Sequence, residues 1–417
     1  MGGCKLVYIP CNFDGKLVIY FSSHPISQNA IKRQLIARDT KGNYNLIKYK
    51  TSMKTTIFYL GSFLIVSNLA CQKSDMPLEE QPKGCNVIEV SGSIDQATSW
   101  EKGNVYVVNN SDLTVRSTLQ IDPGVVIKLK NASINISQGQ IIAKGNPQDR
   151  IIFTSLADDN HCGDTNSDGT ASKATKGDWD RIDINQSNQT SFQYTDIFYA
   201  GGVRGGSSNA VSVGSSKAAS FLFDHCRIAH TLYTETSYDS SCAFYGSSAM
   251  ADPSVSKFTN NEFYDNGKPI FLNAFYTLDP SNKFHNSLEP SQKNTHNGIY
   301  LTAPSTLDRT GTWNNKEVPY VVSSIYSLFD ASTITIGPEV IVKFKNTSSG
   351  LQRSAMQNIN LHSSAILTSY KDDLHGGDTN GDGLESTPKN GDWFGMKNNF
   401  FPIVYFEKSA KILYAKN

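Results

Sequence analysis

The sequence predicts an all-β fold, a solenoid of parallel strands with long Asp-rich loops, and three observations carry that prediction. Short apolar runs rich in Val, Ile, Phe and Tyr alternate with Asn, Ser, Gly and Asp, and no long helical pattern interrupts them. Such runs read as many short strands. The runs that begin at Leu119 and Ile141 are 22 residues apart, about the length of one turn of a parallel β-helix, although the spacing of later runs varies by several residues, so the repeat is degenerate. Finally, an oxygen-rich segment is written twice, as D-D-N-H-C-G-D-T-N-S-D-G at Asp158–Gly169 and as D-D-L-H-G-G-D-T-N-G-D-G at Asp372–Gly383, each followed by G-D-W.

Residues 1–52 carry eight Lys and Arg against two Asp and Glu, with two isolated cysteines, Cys4 and Cys11. They show no periodicity and are assigned no domain; a leader upstream of a start at Met53 is expected. Leu6 stands where a myristoylation signal has Ser or Thr. From Met53 the chain has Lys54, an apolar stretch from Ile57 to Ala70, and then Cys71. A basic residue, a short apolar run and a small residue before a cysteine make a secretory signal peptide with a lipoprotein-type cleavage site over 53–71. A spanning helix needs about 20 apolar residues. Residues 72–103 then read as a tether and N-terminal cap.

Without that leader the charge argument changes. The whole chain is formally neutral, but residues 72–417 hold 29 basic and 36 acidic residues. A mildly acidic body argues against nucleic acid, whose partners show a basic footprint, and suits a protein that gathers divalent cations. The body has four cysteines, Cys85, Cys162, Cys226 and Cys242. An even count in an exported protein permits disulfides, and Cys226 with Cys242 is the expected pair. Cys162 is expected to be dispensable for the loop, because the second copy has Gly376 there.

In order, the strands of the first half are expected at Val105–Val108, Leu119–Ile121, Val125–Leu129, Ile134–Ile136, Ile141–Ala143 and Ile151–Thr154. Phe192–Ile197, Phe221–Ile228 and Phe258–Phe263 look alike, each an aromatic, a polar stretch and an apolar residue. Stacked coils bury such residues as internal ladders. A second duplication links Leu119–Lys130 (L-Q-I-D-P-G-V-V-I-K-L-K) to Ile334–Lys345 (I-T-I-G-P-E-V-I-V-K-F-K), and both lead to I-x-T-S, at Ile152–Ser155 and Ile366–Ser369. The β-helix is therefore expected over 104–400, with related modules at about 104–184 and 318–397. Residues 401–417 are read as a C-terminal cap or a truncated end.

The order L-x-I-x-P-G-V-V-I-K, I-x-T-S, D-D-x-x-x-G-D-T-N-x-D-G and G-D-W resembles exported bacterial right-handed parallel β-helix proteins, the pectate-lyase-like superfamily in the broad sense. The resemblance covers about 105–400, and the loop with G-D-W is its most specific element. It implies a right-handed β-helix and a surface location. That superfamily mixes lyases, hydrolases, adhesins and proteins of no known activity, so it does not select a reaction.

The loops point to calcium, a hard cation that takes six to eight oxygen ligands. Asp164, Asn166, Asp168 and Gly169, and Asp378, Asn380, Asp382 and Gly383, match the D-x-N-x-D-G half of an EF-hand-like loop. The bidentate Glu of such a loop is missing, since Thr175 and Lys389 hold its place. Asp158 and Asp159, and Asp372 and Asp373, are expected to complete the ligand sets, with Asp178 and Asp392 as further donors. The ion would be structural, and the ion-free loop mobile, because its carboxylates repel one another. The competing reading is an acidic loop satisfied by Asx-turns and water.

Catalysis is the weaker expectation. Adjacent residues such as Asp158 and Asp159 point to opposite faces of a strand, which does not suit a glycosidase pair. A lyase would need an arginine base, and of Arg181, Arg204 and Arg227 the last is best placed. His161 and His375 lie within the loops; no metalloprotease, α/β-hydrolase or nucleotide-binding motif occurs. Trp179 and Trp393 are expected as loop anchors. Tyr233, Tyr238, Tyr245, Tyr264, Tyr276 and Tyr300 would suit glycan stacking if exposed and core rungs if not. The leading expectation is a lipid-anchored, calcium-stabilised binding scaffold of the bacterial cell envelope, at the outer membrane or cell surface, for polysaccharide or another surface polymer. The alternatives are a polysaccharide lyase or glycoside hydrolase, and an adhesin or structural protein.

Overall fold

Each apolar run of the first half forms a strand, and each strand pairs with the equivalent strand one coil later. The computed structural model describes residues 7–9, 17–19, 34–38, 44–48 and 85–416, apart from 186, 188, 204–207, 215–219, 235–240, 247–255, 303–308, 329–331, 354–358 and 399–410. The chain divides into two compact units, Met1–Ser74 and Asp75–Asn417. In the first, Val7–Ile9 pairs antiparallel with Leu17–Ile19, and Gln34–Arg38 with Tyr44–Lys48. The expected signal peptide with Cys71, and the tether before Cys85, lie outside the described residues.

The second unit is a parallel β-helix. Asn104–Asn109, Leu113–Val115 and Thr118–Ile121 enter three different sheets, and Val126–Lys130, Ile134–Ser137 and Gln140–Lys144 of the next coil lie beside them strand for strand. Leu119 stands opposite Ile141, so the 22-residue step is one coil. The three sheets have seven, eleven and six strands. The eleven-stranded sheet runs on to Ile366–Ser369, flanked in the later coils by two sheets of three strands. All strand ladders of this unit are parallel, and no helix occurs among the described residues.

Side-chain alternation builds the core: Ile134, Ile136, Ile141 and Ala143 are fully buried, as period-two strands with one inward face require. The look-alike segments do stack, with a register that corrects the sequence alignment by two residues. Phe192, Phe223 and Phe258 are opposite one another, while Phe221 lies opposite Thr190. The Phe192 and Phe223 rings stack at 4.8 Å. Two residues after each phenylalanine, Tyr194, His225 and Asn260 all have positive φ, and five residues further Tyr199, His230 and Asp265 do too. Left-handed backbone is uncommon for residues with a Cβ. Its recurrence at both corners of three coils shows that it makes the bend between sheets.

Residues 411–416 lie beside the last coil. Leu367 N donates to Lys411 O at 2.7 Å and Leu413 N to Leu367 O at 2.8 Å, which pairs part of the otherwise open edge.

Candidate metal centres in the duplicated loops

The first loop leaves the seven-stranded sheet after Ile151–Ser155 and returns at Ile182–Asn185 in the eleven-stranded sheet; the second leaves the eleven-stranded sheet after Ile366–Ser369 and returns at Gly395–Asn398. The two copies stand on different sheets, yet most of their local contacts recur.

The base of each loop is a Thr–Asp–His cluster. Thr154 Oγ1 donates to Asp158 Oδ2 at 2.6 Å, and His161 Nδ1 lies 2.7 Å from the same oxygen. Thr368, Asp372 and His375 repeat the arrangement. Asp158 Oδ1 accepts from Asn160 N and Asp372 Oδ1 from Leu374 N. Burial pushes the Asp158 pKa up, but the bonds from His161 and Thr154 outweigh it and hold the carboxyl below its ordinary range. Both carboxylates of Asp158 and Asp372 are thus engaged within the protein.

Above this base, Asp164 accepts from the backbone N of Asp168 and Gly169, at 3.1 and 2.8 Å, and Asp378 from Gly381 and Gly383, at 2.7 and 2.8 Å. Gly169 and Gly383 have φ of 70° and 69°, a conformation glycine adopts without steric cost. Asn166 Nδ2 donates to Asp168 Oδ2 and Ser172 Oγ, and Asn380 Nδ2 to Asp382 Oδ2 and Ser386 Oγ. The amide orientation leaves each Oδ1 as the acceptor still to be satisfied.

Those acceptors have no hydrogen-bond partner. Asp159 Oδ1 and Asn166 Oδ1 in the first loop, and Asp373 Oδ1, Asn380 Oδ1 and Asp382 Oδ1 in the second, are buried and unbonded. Positions 159 and 373, and 166 and 380, are equivalent in the two copies. An unsatisfied buried acceptor costs about 1–3 kcal/mol, and native proteins keep few of them. Burial raises the Asp373 pKa, and the charges of Asp378 and Asp382 raise it further. An oxygen-seeking cation would answer both the orphaned acceptors and the repulsion. Among the described residues no group of three or more His, Cys, Asp or Glu side chains is set to hold a metal, so Asn and main-chain oxygens would have to take part.

Asp178 and Asp392 close the necks of the loops. Asp178 accepts from Ser155 Oγ and Thr175 N, and Asp392 from Ser369 Oγ and Lys389 N. Trp179 and Trp393 are fully buried anchors. Their Nε1 atoms donate to Phe198 O at 2.8 Å and Leu413 O at 2.7 Å, and Trp393 stacks on Phe344 at 3.9 Å.

Sequence reasoning missed Lys128 and Lys343. Both are fully buried and rise from the strand under their loop. Lys128 Nζ donates to Gly163 O at 2.8 Å and Thr165 Oγ1 at 2.7 Å, and Lys343 Nζ to Gly377 O at 2.6 Å. Burial lowers both pKa values, that of Lys343 to about 8, against the opposing pull of loop carboxylates that include Asp158 and Asp159, and Asp372 and Asp373. The signal lay in the duplicated P-G-V-V-I-K and P-E-V-I-V-K.

The disulfide is a correction. Cys85 bonds Cys162, 77 positions away with Cα atoms 5.2 Å apart, so Cys162 fastens the first loop to the first coil. Cys226 and Cys242 are buried without a disulfide. Cys226 lies in the interior core, whereas Cys242 packs with Phe271, Tyr300, Val321 and Tyr370 in a separate cluster.

Arg227 sits outside the loops in an ion pair. Its Nε donates to Asp196 Oδ1 at 2.7 Å and its Nη2 to Oδ2, while Arg150 grips the same carboxylate at 2.6 Å. Burial disfavours the Arg227 charge, but the bond and charge of Asp196 more than offset it and raise the pKa, the reverse of what a base needs. Arg181 lies 4.0 Å from Asp183, and Arg204 and Tyr238 fall outside the described residues. Tyr264, Tyr276 and Tyr300 are buried, so these three do not present sugar platforms.

No protein family, no curated protein and no solved structure matches the chain.

Proposed function

We propose that the chain is a calcium-stabilised β-helix lipoprotein of the bacterial cell envelope, anchored through Cys71, that acts as a non-catalytic binding scaffold for a polysaccharide or another surface polymer. The observation that carries the cation reading is the recurrence of orphaned buried oxygens at equivalent positions, on Asp159 and Asn166 and on Asp373 and Asn380. With Asp168 and Asp382 these residues would hold the ion, which would supply charge neutralisation and tie each long loop to its coil. A loop so ordered costs closure entropy, and an ion that binds only the folded loop offsets it.

The binding reading is supported by the outer face of the eleven-stranded sheet. Ser93, Thr114, Asn135, Asp183 and Ser212 follow one another in register, one per coil, and all are at least partly exposed. Strands lie about 4.8 Å apart, so this row offers evenly spaced hydrogen-bonding groups to a polymer lying along the coil axis. The pairing of Arg227 with Asp196 speaks against the lyase alternative.

The test uses the full chain, with calcium or with chelator. Expected are a lower melting temperature in chelator and co-sedimentation with at least one polysaccharide of a plant, algal and host panel, without shortening of the polymer. An unchanged melting temperature removes the ion, shortening of any polymer replaces the scaffold by an enzyme, and no retention across the panel removes polysaccharide as the partner.

A further inference from the structure

Among the described residues of the duplicated modules, Lys128 and Lys343 are the basic side chains that reach from the coil wall to the main chain at the turn of each Asp-rich loop. Their placement is the same in both. Lys128 stands opposite Thr154, and Lys343 opposite Thr368, and these threonines bond Asp158 and Asp372. The strand neighbours on the other side, Val107 and Val321, are apolar, which suits the methylene stem of a lysine whose head alone is polar. A buried ammonium is costly unless hydrogen-bonded and paired. Here it finds a loop carbonyl in each copy, Gly163 O and Gly377 O.

We infer that Lys128 and Lys343 are resident cations, positioning residues that hold each loop in its folded form before any metal ion arrives. The ammonium reaches the main chain immediately before Asp164 and Asp378, the residues that cap the D-x-N-x-D-G turn. It also lies within electrostatic reach of the acids the loop must bring together. The ion of the proposed function therefore meets a preformed site. This reverses the expectation that the ion-free loop is mobile. The inference deepens the cation reading, but its first test does not depend on it.

That test is amide hydrogen exchange on the full chain in chelator, read at Gly381 and Gly383 and at Asp168 and Gly169, whose N–H groups bond Asp378 and Asp164. Local opening sets such exchange. The unaltered protein is expected to protect these amides without metal; free exchange there overturns the inference. Lys343→Met keeps the stem and removes the charge, and is expected to speed exchange at Gly381 and Gly383 by roughly tenfold or more, because hydrogen bonds from charged donors are the strong ones. The first loop should be unaffected. Lys128→Met, in the loop that the disulfide also holds, gives the reciprocal result if the Lys343 variant does not fold. Unchanged protection in these variants means that stem packing alone holds the loop, and overturns the inference. Calcium is expected to restore protection in Lys343→Met. If calcium changes exchange neither in the variant nor in the unaltered protein, the cation reading fails while the chelator result still judges the lysines.

Discussion

Breaking the Cys85–Cys162 bridge should destabilise the N-terminal coils by about 4 kcal/mol. Cross-linking removes loop-closure entropy from the unfolded chain, and for a loop of 77 residues the chain-entropy relation gives about 4.5 kcal/mol at 25 °C, an upper figure because unfolded chains retain structure. Both cysteines border an apolar cluster of Val105, Val107, Val126 and Leu156, so the double substitution Cys85→Ala and Cys162→Ala avoids placing a new hydroxyl there. The assay is urea unfolding of the two proteins with and without reductant. Reduction should lower the midpoint of the unaltered protein towards that of the variant and leave the variant unchanged. In a solenoid each coil contacts only its neighbours, so the loss should appear first in exchange at Asn104–Asn109 and Val126–Lys130. Equal midpoints in all four conditions would refute the bridge as a stabilising link.

Other outcomes follow from the core. Phe223→Ala removes a fully buried ring packed between Phe192, on which it stacks, and Phe258 and should cost about 3–5 kcal/mol in urea unfolding; a loss below about 1 kcal/mol would mean that the ladder collapses around the gap. Burial pushes the Cys226 thiol from 9.0 up to about 12. The folded chain thus keeps a proton that the unfolded chain releases, and stability is lost as pH rises through that window. Native Cys226 should resist alkylation at pH 8 and react after denaturation; rapid native labelling, read by peptide mass, would contradict its burial.

What the sequence revealed and what it hid have different physical origins. The step from Leu119 to Ile141 was readable because period-two burial and a coil that carries no long loop leave a repeating trace, and the register confirms it. The corners hid because their left-handed positions are filled by Tyr194, His225 and Asn260 rather than by glycine, which is why the alignment slipped from Phe223 to Phe221. Lys128 and Lys343 hid because a lysine in an alternating strand reads as a solvated face, and only the loop above turns that face into an interior. The Cys85–Cys162 pairing hid because spacing does not determine connectivity. Duplication made the acidic loops conspicuous, but which of their oxygens lack partners depends on side-chain hydrogen bonds that no motif encodes.

The two copies keep the same loop and fasten it differently, and Gly376 shows why. It replaces Cys162, and both positions have positive φ, 81° and 59°. A Cβ at Gly376 would lie 2.4 Å from Cγ of Pro319 and 3.2 Å from its Cδ, and a proline ring in the coil wall cannot swing aside as a long side chain would. The second loop is therefore held by close approach to the sheet, with Tyr300 and Tyr370 hydroxyls both bonded to Thr379 O, where the first is held by a covalent link. Gly376→Ala should combine left-handed strain of about 1–2 kcal/mol with overpacking of about 1–3 kcal/mol, and should free the second loop while leaving the first intact. Urea unfolding and exchange at Gly381 and Gly383 report the two effects separately. If the variant matches the unaltered protein in both, then contact with Pro319 does not seat the loop, and the second copy must be secured by Lys343 and the tyrosines alone.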